Sequence, residues 1–300
     1  MRWVILFLLA PVLAWADSVP HQGIERYFAL YEPPGLEGAA PLVVDLHGYR
    51  SEERALAART RPAEGRWPEM ERLAQTEGFR ILYPEAWIGR WSLRDGIRGA
   101  VLPDGTPIDD IAFIHGLVAG LVAEGKATPG EIFLVGTSDG AILSFRMLCR
   151  VDTPFAAAAP LIGMMYERHL KACANPVPPP VMVLAGTQDQ ILPYDGKLWP
   201  GVRGVAIPEI LELWRTRHGC DGQESRLLPD LTEADRSRVR VVTWTGCRAP
   251  ETVMLYRVEG GGHLNPSLTP NTSDWARRAG PQNNDMETAD HVWAFFAHFL

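Results

Sequence analysis

The sequence predicts an α/β fold: a mostly parallel, twisted sheet with helices on both faces. Three observations predict it. Short apolar runs of strand length alternate with amphipathic helical segments along the 300 residues. The run from Pro41 to Leu46 is apolar almost throughout rather than alternating, as a strand buried on both faces of a parallel sheet must be. A third run, Glu131 to Val135, leads into Gly136-Thr137-Ser138-Asp139-Gly140, and a helical stretch follows from Ile142 to Leu148. Gly-x-Ser-x-Gly between a strand and a helix is the nucleophile-elbow pattern, a sharp turn that lifts the serine oxygen out of the sheet. The glycines are expected where a Cβ would crowd neighbouring backbone.

In chain order, Met1 to Ala16 is expected to be a secretory signal peptide. Arg2 precedes an apolar stretch, Val4 to Leu13, and Ala14-Trp15-Ala16 is a small-x-small cleavage site. Export implies a secreted or periplasmic protein beginning at Asp17, folded as a single catalytic domain over 17–300. Ile24 to Tyr31 reads as a strand ending at Pro33-Pro34-Gly35. After the Pro41 strand, Ser51 caps a short helix whose first residues are Glu52 and Glu53. Met70 to Thr76 is a helix stopped by Gly78, and Phe79 to Pro84 the next strand. A loop rich in Gly and Trp, 86–107, precedes Asp109 and Asp110, which cap the helix Ile111 to Glu124. Phe155 to Ile162 and Val181 to Gly186 are strands flanking a proline-stiffened connector. Ile207 to Arg217 is a helix, Val239 to Thr245 and Val253 to Val258 are late strands, and Met286 to Leu300 closes the chain as an amphipathic helix.

The formal charge of −7 argues against nucleic acid and anionic membrane surfaces as partners. No metal or cofactor motif is present. Cys149, Cys173, Cys220 and Cys247 make an even set in an exported chain, which favours disulfides. Four cysteines allow three connectivities; the economical one pairs Cys149 with Cys173 and Cys220 with Cys247, since each closes a short loop beside a helix.

A serine hydroxyl is a weak nucleophile and needs a histidine base oriented by a carboxylate. In folds with this elbow the order is Ser, acid, His. Of the histidines after Ser138, His263 directly follows Gly260-Gly261-Gly262 and closely follows a strand. His291 and His298 lie in the last helix, His218 at a helix end, and His169 has no strand or glycine turn before it. The acid belongs at a strand's carboxyl end, which selects Asp189 after Val181–Gly186; Asp195, in Pro-Tyr-Asp-Gly, reads as a turn residue. The oxyanion donors are expected to be the N–H of Asp139, after the nucleophile, and of Tyr49, in the His47-Gly48-Tyr49 loop, with His47 as a brace. Trp87, Trp91 and Trp199 lie in loops that could line an acyl pocket.

Leu46-His47-Gly48, Asp109 to Ile114, Gly136 to Gly140, Gly186-Thr187-Gln188-Asp189-Gln190-Ile191-Leu192-Pro193-Tyr194 and Gly260-Gly261-Gly262-His263 follow one another in an order and spacing that resembles the polyhydroxybutyrate depolymerase / feruloyl esterase-like α/β-hydrolases. The resemblance runs from about Ile24 to Pro266 and implies the α/β-hydrolase fold. It implies a secreted serine esterase acting on polyester oligomers or on feruloyl and acetyl esters, without cofactor, with Ser138, Asp189 and His263 as the triad. It also supports the economical disulfide pairing. Three positions depart from the family pattern: Ala141 stands for a second glycine, Asp139 for a neutral residue, and Asn265 for a tryptophan before Pro266. A serine peptidase of the same fold and a non-catalytic binding protein built on it are the competing readings. Such peptidases usually carry an additional large domain, and the intact Ser, Asp and His argue against loss of catalysis.

Overall fold

The structure is a computed structural model, and it describes residues 17–58, 66–93, 101–102, 104–198, 203–249 and 252–300. The expected signal peptide and Trp199 lie outside the described residues. Ten strands form one sheet. They are β1 (Asp17–His21), β2 (Ile24–Tyr31), β3 (Ala40–Leu46), β4 (Arg80–Pro84), β5 (Ala127–Thr137), β6 (Ala157–Leu161), β7 (Val181–Gly186), β8 (Gly222–Leu227), β9 (Arg238–Thr245) and β10 (Val253–Glu259). Their spatial order is β1-β2-β4-β3-β5-β6-β7-β10-β9-β8. The six central strands, β4 to β10 in that order, are mutually parallel. Both flanks are antiparallel: β1 and β2 on one side, β9 and β8 on the other.

The helices are α1 (Glu52–Ala58), α2 (Pro68–Glu77), α3 (Asp110–Ala123), α4 (Asp139–Leu148), α5 (Glu167–Lys171), α6 (Ile207–His218), α7 (Asp274–Ala279) and α8 (Thr288–Phe296). The alternation of side chains along each strand splits the core in two. Leu42, Val44, Leu46, Ile132 and Leu134 face apolar residues of α3, α4 and α6. Val43, Ile81, Phe133 and Val135 face α2 and α8, where Phe79 stacks on Trp293 and Phe133 on Phe296. The expected helix boundaries hold where caps define them. The Ser51 hydroxyl accepts the Arg54 N–H, the Asp109 carboxylate accepts the Ala112 N–H, and Gly78 ends α2 in the left-handed region at φ 78°. The closing helix is shorter than the periodicity suggests, ending at Phe296 and tightening into a 3₁₀ turn over Ala297–Phe299.

Asp110 is more than a cap. Its carboxylate is buried, meets the Arg26 guanidinium at 2.7 Å and accepts the Ser92 N–H. Arg26 also lies over the Phe113 ring, so β2, α3 and the Trp91 loop are tied together by one fully buried cation. The disulfides are Cys149–Cys173 and Cys220–Cys247, closing 24- and 27-residue separations. Among the described residues no helix is long and apolar enough to cross a membrane, and no cluster of His, Cys, Asp or Glu could hold a metal ion.

Candidate active site

The elbow is built by crowding. Ser138 directly follows β5 and stands at the N-cap position of α4 with φ 56° and ψ −116°, a region that residues other than glycine rarely occupy. Holding it there costs roughly 1–3 kcal/mol, which the surroundings must over-determine. Two backbone hydrogen bonds do so: Ser138 N–H to the Leu161 carbonyl at 3.0 Å, and Ile142 N–H to the Ser138 carbonyl at 3.1 Å. A methyl on Gly140 would overlap the Leu46 carbonyl, and one on Gly136 the Gly140 carbonyl, so β3, β5 and α4 approach this closely only without those side chains. Ala141 fits behind the elbow because the facing residue, Gly163, leaves room for its methyl.

Asp189 and His263 come from neighbouring parallel strands, and their loops are stitched together. Thr187 N–H donates to the Val258 carbonyl (2.9 Å), Gln188 N–H to Gly261 (2.8 Å), and Gly260 N–H to the Thr187 hydroxyl (2.9 Å). Gly262 and His263 then donate to Pro281 and Ala279, each at 2.7 Å. A side chain on Gly262 would strike the Ala279 carbonyl, which is the local reason for the glycine run.

The result is a continuous hydrogen-bonded line. His263 Nε2 lies 2.9 Å from Ser138 Oγ, and His263 Nδ1 lies 2.6 Å from Asp189 Oδ2. Asp189 Oδ1 accepts the N–H groups of Ile191 and Leu192, both at 2.8 Å. An ionised carboxylate is acceptor-only, so Nδ1 carries the proton and Nε2 is left to accept from the serine hydroxyl. Asp189 and His263 are both buried. The rivals lie elsewhere. Asp195 is exposed and pairs with Lys197 at 2.7 Å, His218 bonds the Pro178 carbonyl, and His291 faces the Tyr256 hydroxyl.

Gly48 runs against the serine: a Cβ there would sit 3.2 Å from Ser138 Cβ. The residue after it, Tyr49, projects its ring outward with 51% exposure, under the Arg90 guanidinium. Asp139 opens α4, buried at the cavity wall. A cavity of about 1360 Å³ lies over Ser138 and His263, with Tyr49, Trp67 and Trp275 as its aromatic walls and Arg90, Arg278 and Glu287 among its charged ones. Trp91 is not one of its walls. It is 1% exposed, donates its indole N–H to the His47 carbonyl at 2.7 Å, and packs behind the loop rather than in front of it. Trp87 does not line the cavity either. Of the aromatic walls, Trp275 stands edge-on to His263 at 6.4 Å between ring centroids. Sequence reasoning missed it because α7 is six residues long and carries no periodic signal.

Beneath the loop lies a charged cluster of Asp45, His47, Arg50 and Arg66 around the buried Glu85. Burial works against the Glu85 charge, but the facing Arg50 and Arg66 guanidiniums more than offset it and hold the carboxyl below its usual range. Burial, helped by Arg50, pushes the His47 imidazole down to about 4, in keeping with an Nε2 that accepts the Ala86 N–H. Burial pushes Asp45 up to about 7, against Arg50 and Arg66. The unfolded chain releases that proton near its ordinary value of 3.8, so between about 4 and 7 the native state binds the extra proton and stability falls as pH rises. Asp45→Asn mimics the protonated form. It is expected to match the wild type in Tm near pH 4 and to exceed it at pH 8, flattening the Tm–pH curve; parallel curves for the two proteins would refute this.

The fold and its strand-end Ser, Asp and His define an α/β-hydrolase-fold protein. No protein-family model matches the chain. It is similar to a feruloyl esterase B of Piromyces equi, 23% identical over 240 residues, covering 77% of this chain and 41% of that protein. It is similar to a putative esterase of Nocardia uniformis subsp. tsuyamanensis, 24% identical and covering 87% of this chain and 76% of that one. Among solved structures, an acetyl xylan esterase from Aspergillus awamori superposes with a TM-score of 0.56 at 15% identity, covering 83% of this chain and 93% of that chain. The chain spans less than half the length of the first of these relatives.

Proposed function

We propose that this chain is a secreted serine carboxylic-ester hydrolase that works through an acyl-enzyme. The observation that carries the reading is the Ser138–His263–Asp189 line at 2.9 and 2.6 Å, set on a strained elbow. Both curated relatives above bear esterase names, which supports an ester as the substrate. Ser138 Oγ attacks the ester carbonyl while His263 Nε2 takes its proton, and Asp189 stabilises the imidazolium that forms. The tetrahedral oxyanion is held by the N–H groups of Asp139 and Tyr49, each preorganised donor contributing about 3–4 kcal/mol. His263 then protonates the leaving alcohol, and water repeats the sequence to release the acid.

The substrate is a polyhydroxybutyrate-type oligomer or a feruloyl or acetyl ester of a polysaccharide. A cavity of about 1360 Å³ suits a polymer segment better than a small ester. The two disulfides accord with export and an oxidising compartment. The deciding experiment treats purified protein with a fluorophosphonate probe, then assays hydroxybutyrate oligomers, methyl ferulate, acetylated xylan and an aminoacyl amide. Labelling at Ser138 with turnover of one of the esters is expected. An unlabelled serine and no ester turnover would overturn the reading, and preference for the amide would redirect it to a peptidase.

A further inference from the structure

The loop expected to present the second oxyanion donor, residues 47–50, packs against the elbow on one side and is hydrogen-bonded on the other to one segment, residues 85–91. Ala86 N–H donates to His47 Nε2 (3.1 Å), Trp91 Nε1–H to the His47 carbonyl (2.7 Å), and Arg50 N–H to the Gly89 carbonyl (2.8 Å). The His47 and Trp91 rings lie 4.9 Å apart, and the Arg90 guanidinium sits 4.9 Å over the Tyr49 ring. His47 Nδ1–H closes the inner side of the loop by donating to the Gly48 carbonyl at 2.5 Å. A side chain on Gly89 would overlap the Arg50 carbonyl, so the two segments lie in direct contact.

The anchor of this clasp is Glu85. It is 2% exposed, its N–H is fixed to the Tyr27 carbonyl at 2.9 Å, and its carboxylate takes Arg50 Nη1 at 2.9 and 2.6 Å. Arg66 binds the same carboxylate from the other side, and His47 Nε2 lies 3.4 Å away. Arg50 directly follows Tyr49, so whatever fixes Arg50 fixes the peptide plane beside the expected donor. The geometry points to Glu85 as the positioning residue of the oxyanion loop, acting through Arg50 on the Tyr49 N–H. One Arg50 nitrogen held by both oxygens of a buried carboxylate makes a charge-assisted contact stronger than a neutral hydrogen bond. A donor misplaced by a fraction of an ångström loses much of its hold on an oxyanion while leaving ground-state binding almost untouched.

This rests on the esterase reading, and its test keeps the two apart. Glu85→Gln preserves the shape and removes the charge. Because it leaves Arg66 facing a neutral group and could unfold the protein, Arg50→Met is made beside it. Arg50 is 29% exposed, and its loss leaves the Glu85–Arg66 pair intact. Each folded variant is expected to lose about 10- to 100-fold in kcat, with KM for the same ester within about twofold, since removing a donor outright costs about 10²–10³. An aryl trifluoromethyl ketone forms a hemiketal with Ser138 whose oxygen occupies the oxyanion position. Its Ki should rise in proportion to the loss in kcat/KM. A folded Arg50→Met protein with kcat within threefold of wild type, or with a lowered kcat but unchanged ketone affinity, overturns the assignment. Wild-type protein that neither labels nor hydrolyses esters overturns the esterase reading instead.

Discussion

Ser138→Ala is expected to lose about 10⁵- to 10⁶-fold in kcat on a p-nitrophenyl short-chain ester. Turnover within tenfold of wild type would remove Ser138 from the chemistry altogether. The loss follows from position: the hydroxyl is the group at the end of the Asp189–His263 line, and alanine leaves His263 Nε2 with nothing to deprotonate. Residual rate above water is still expected, because backbone donors and the cavity survive the change. The strain adds a second readout. Ser138 stands at φ 56°, where alanine is no more comfortable than serine, so Ser138→Ala should leave Tm nearly unchanged. Ser138→Gly relieves that conformation and is expected to raise stability by about 1 kcal/mol while abolishing turnover equally. Glycine also frees the unfolded chain, which subtracts from the gain. A Tm for Ser138→Gly well below that of Ser138→Ala would show that the elbow is not strained.

The legible parts of the fold are those whose signal is local. The central strands are apolar because they are buried on both faces, so β3, β5 and β7 stand out without any partner being known. The glycines of the elbow and of Gly260–Gly262 are legible for the same reason: a close backbone approach forbids side chains, and that prohibition is written at the position itself. The two outermost strands are not legible. β8, Gly-Gln-Glu-Ser-Arg-Leu, is exposed along nearly its whole length and is a strand only because its backbone pairs with β9. β1 is similar against β2. What Trp91 and Asp110 do was hidden because each is decided by a distant partner, His47 in one case and Arg26 in the other. An isolated tryptophan in a loop has no period to read, so a wall residue and a packing residue look alike. The cavity's own aromatic near the relay, Trp275, sits on a helix too short for periodicity.

The second large effect isolates the carboxylate. Asp189→Asn is expected to lower kcat about 10⁴-fold with little change in KM or Tm. The size follows from which oxygen is already committed. Oδ1 accepts two N–H groups, from Ile191 and Leu192, and only an oxygen can satisfy both. The amide oxygen of asparagine must therefore take the Oδ1 place, and its NH₂ is forced into the Oδ2 place facing His263 Nδ1. An N–H cannot accept from another N–H, so His263 adopts the opposite tautomer, with Nδ1 as acceptor and the proton on Nε2. In that form Nε2 points a hydrogen at Ser138 Oγ and cannot take one from it. Shape, burial and two of the three hydrogen bonds survive, which is why folding should be spared while the base is disabled. Because the two residues act as one unit, Asp189→Asn in the Ser138→Ala background should cost almost nothing further. A double variant that is another 10³-fold slower would mean that the carboxylate serves the reaction by a route that does not pass through the serine.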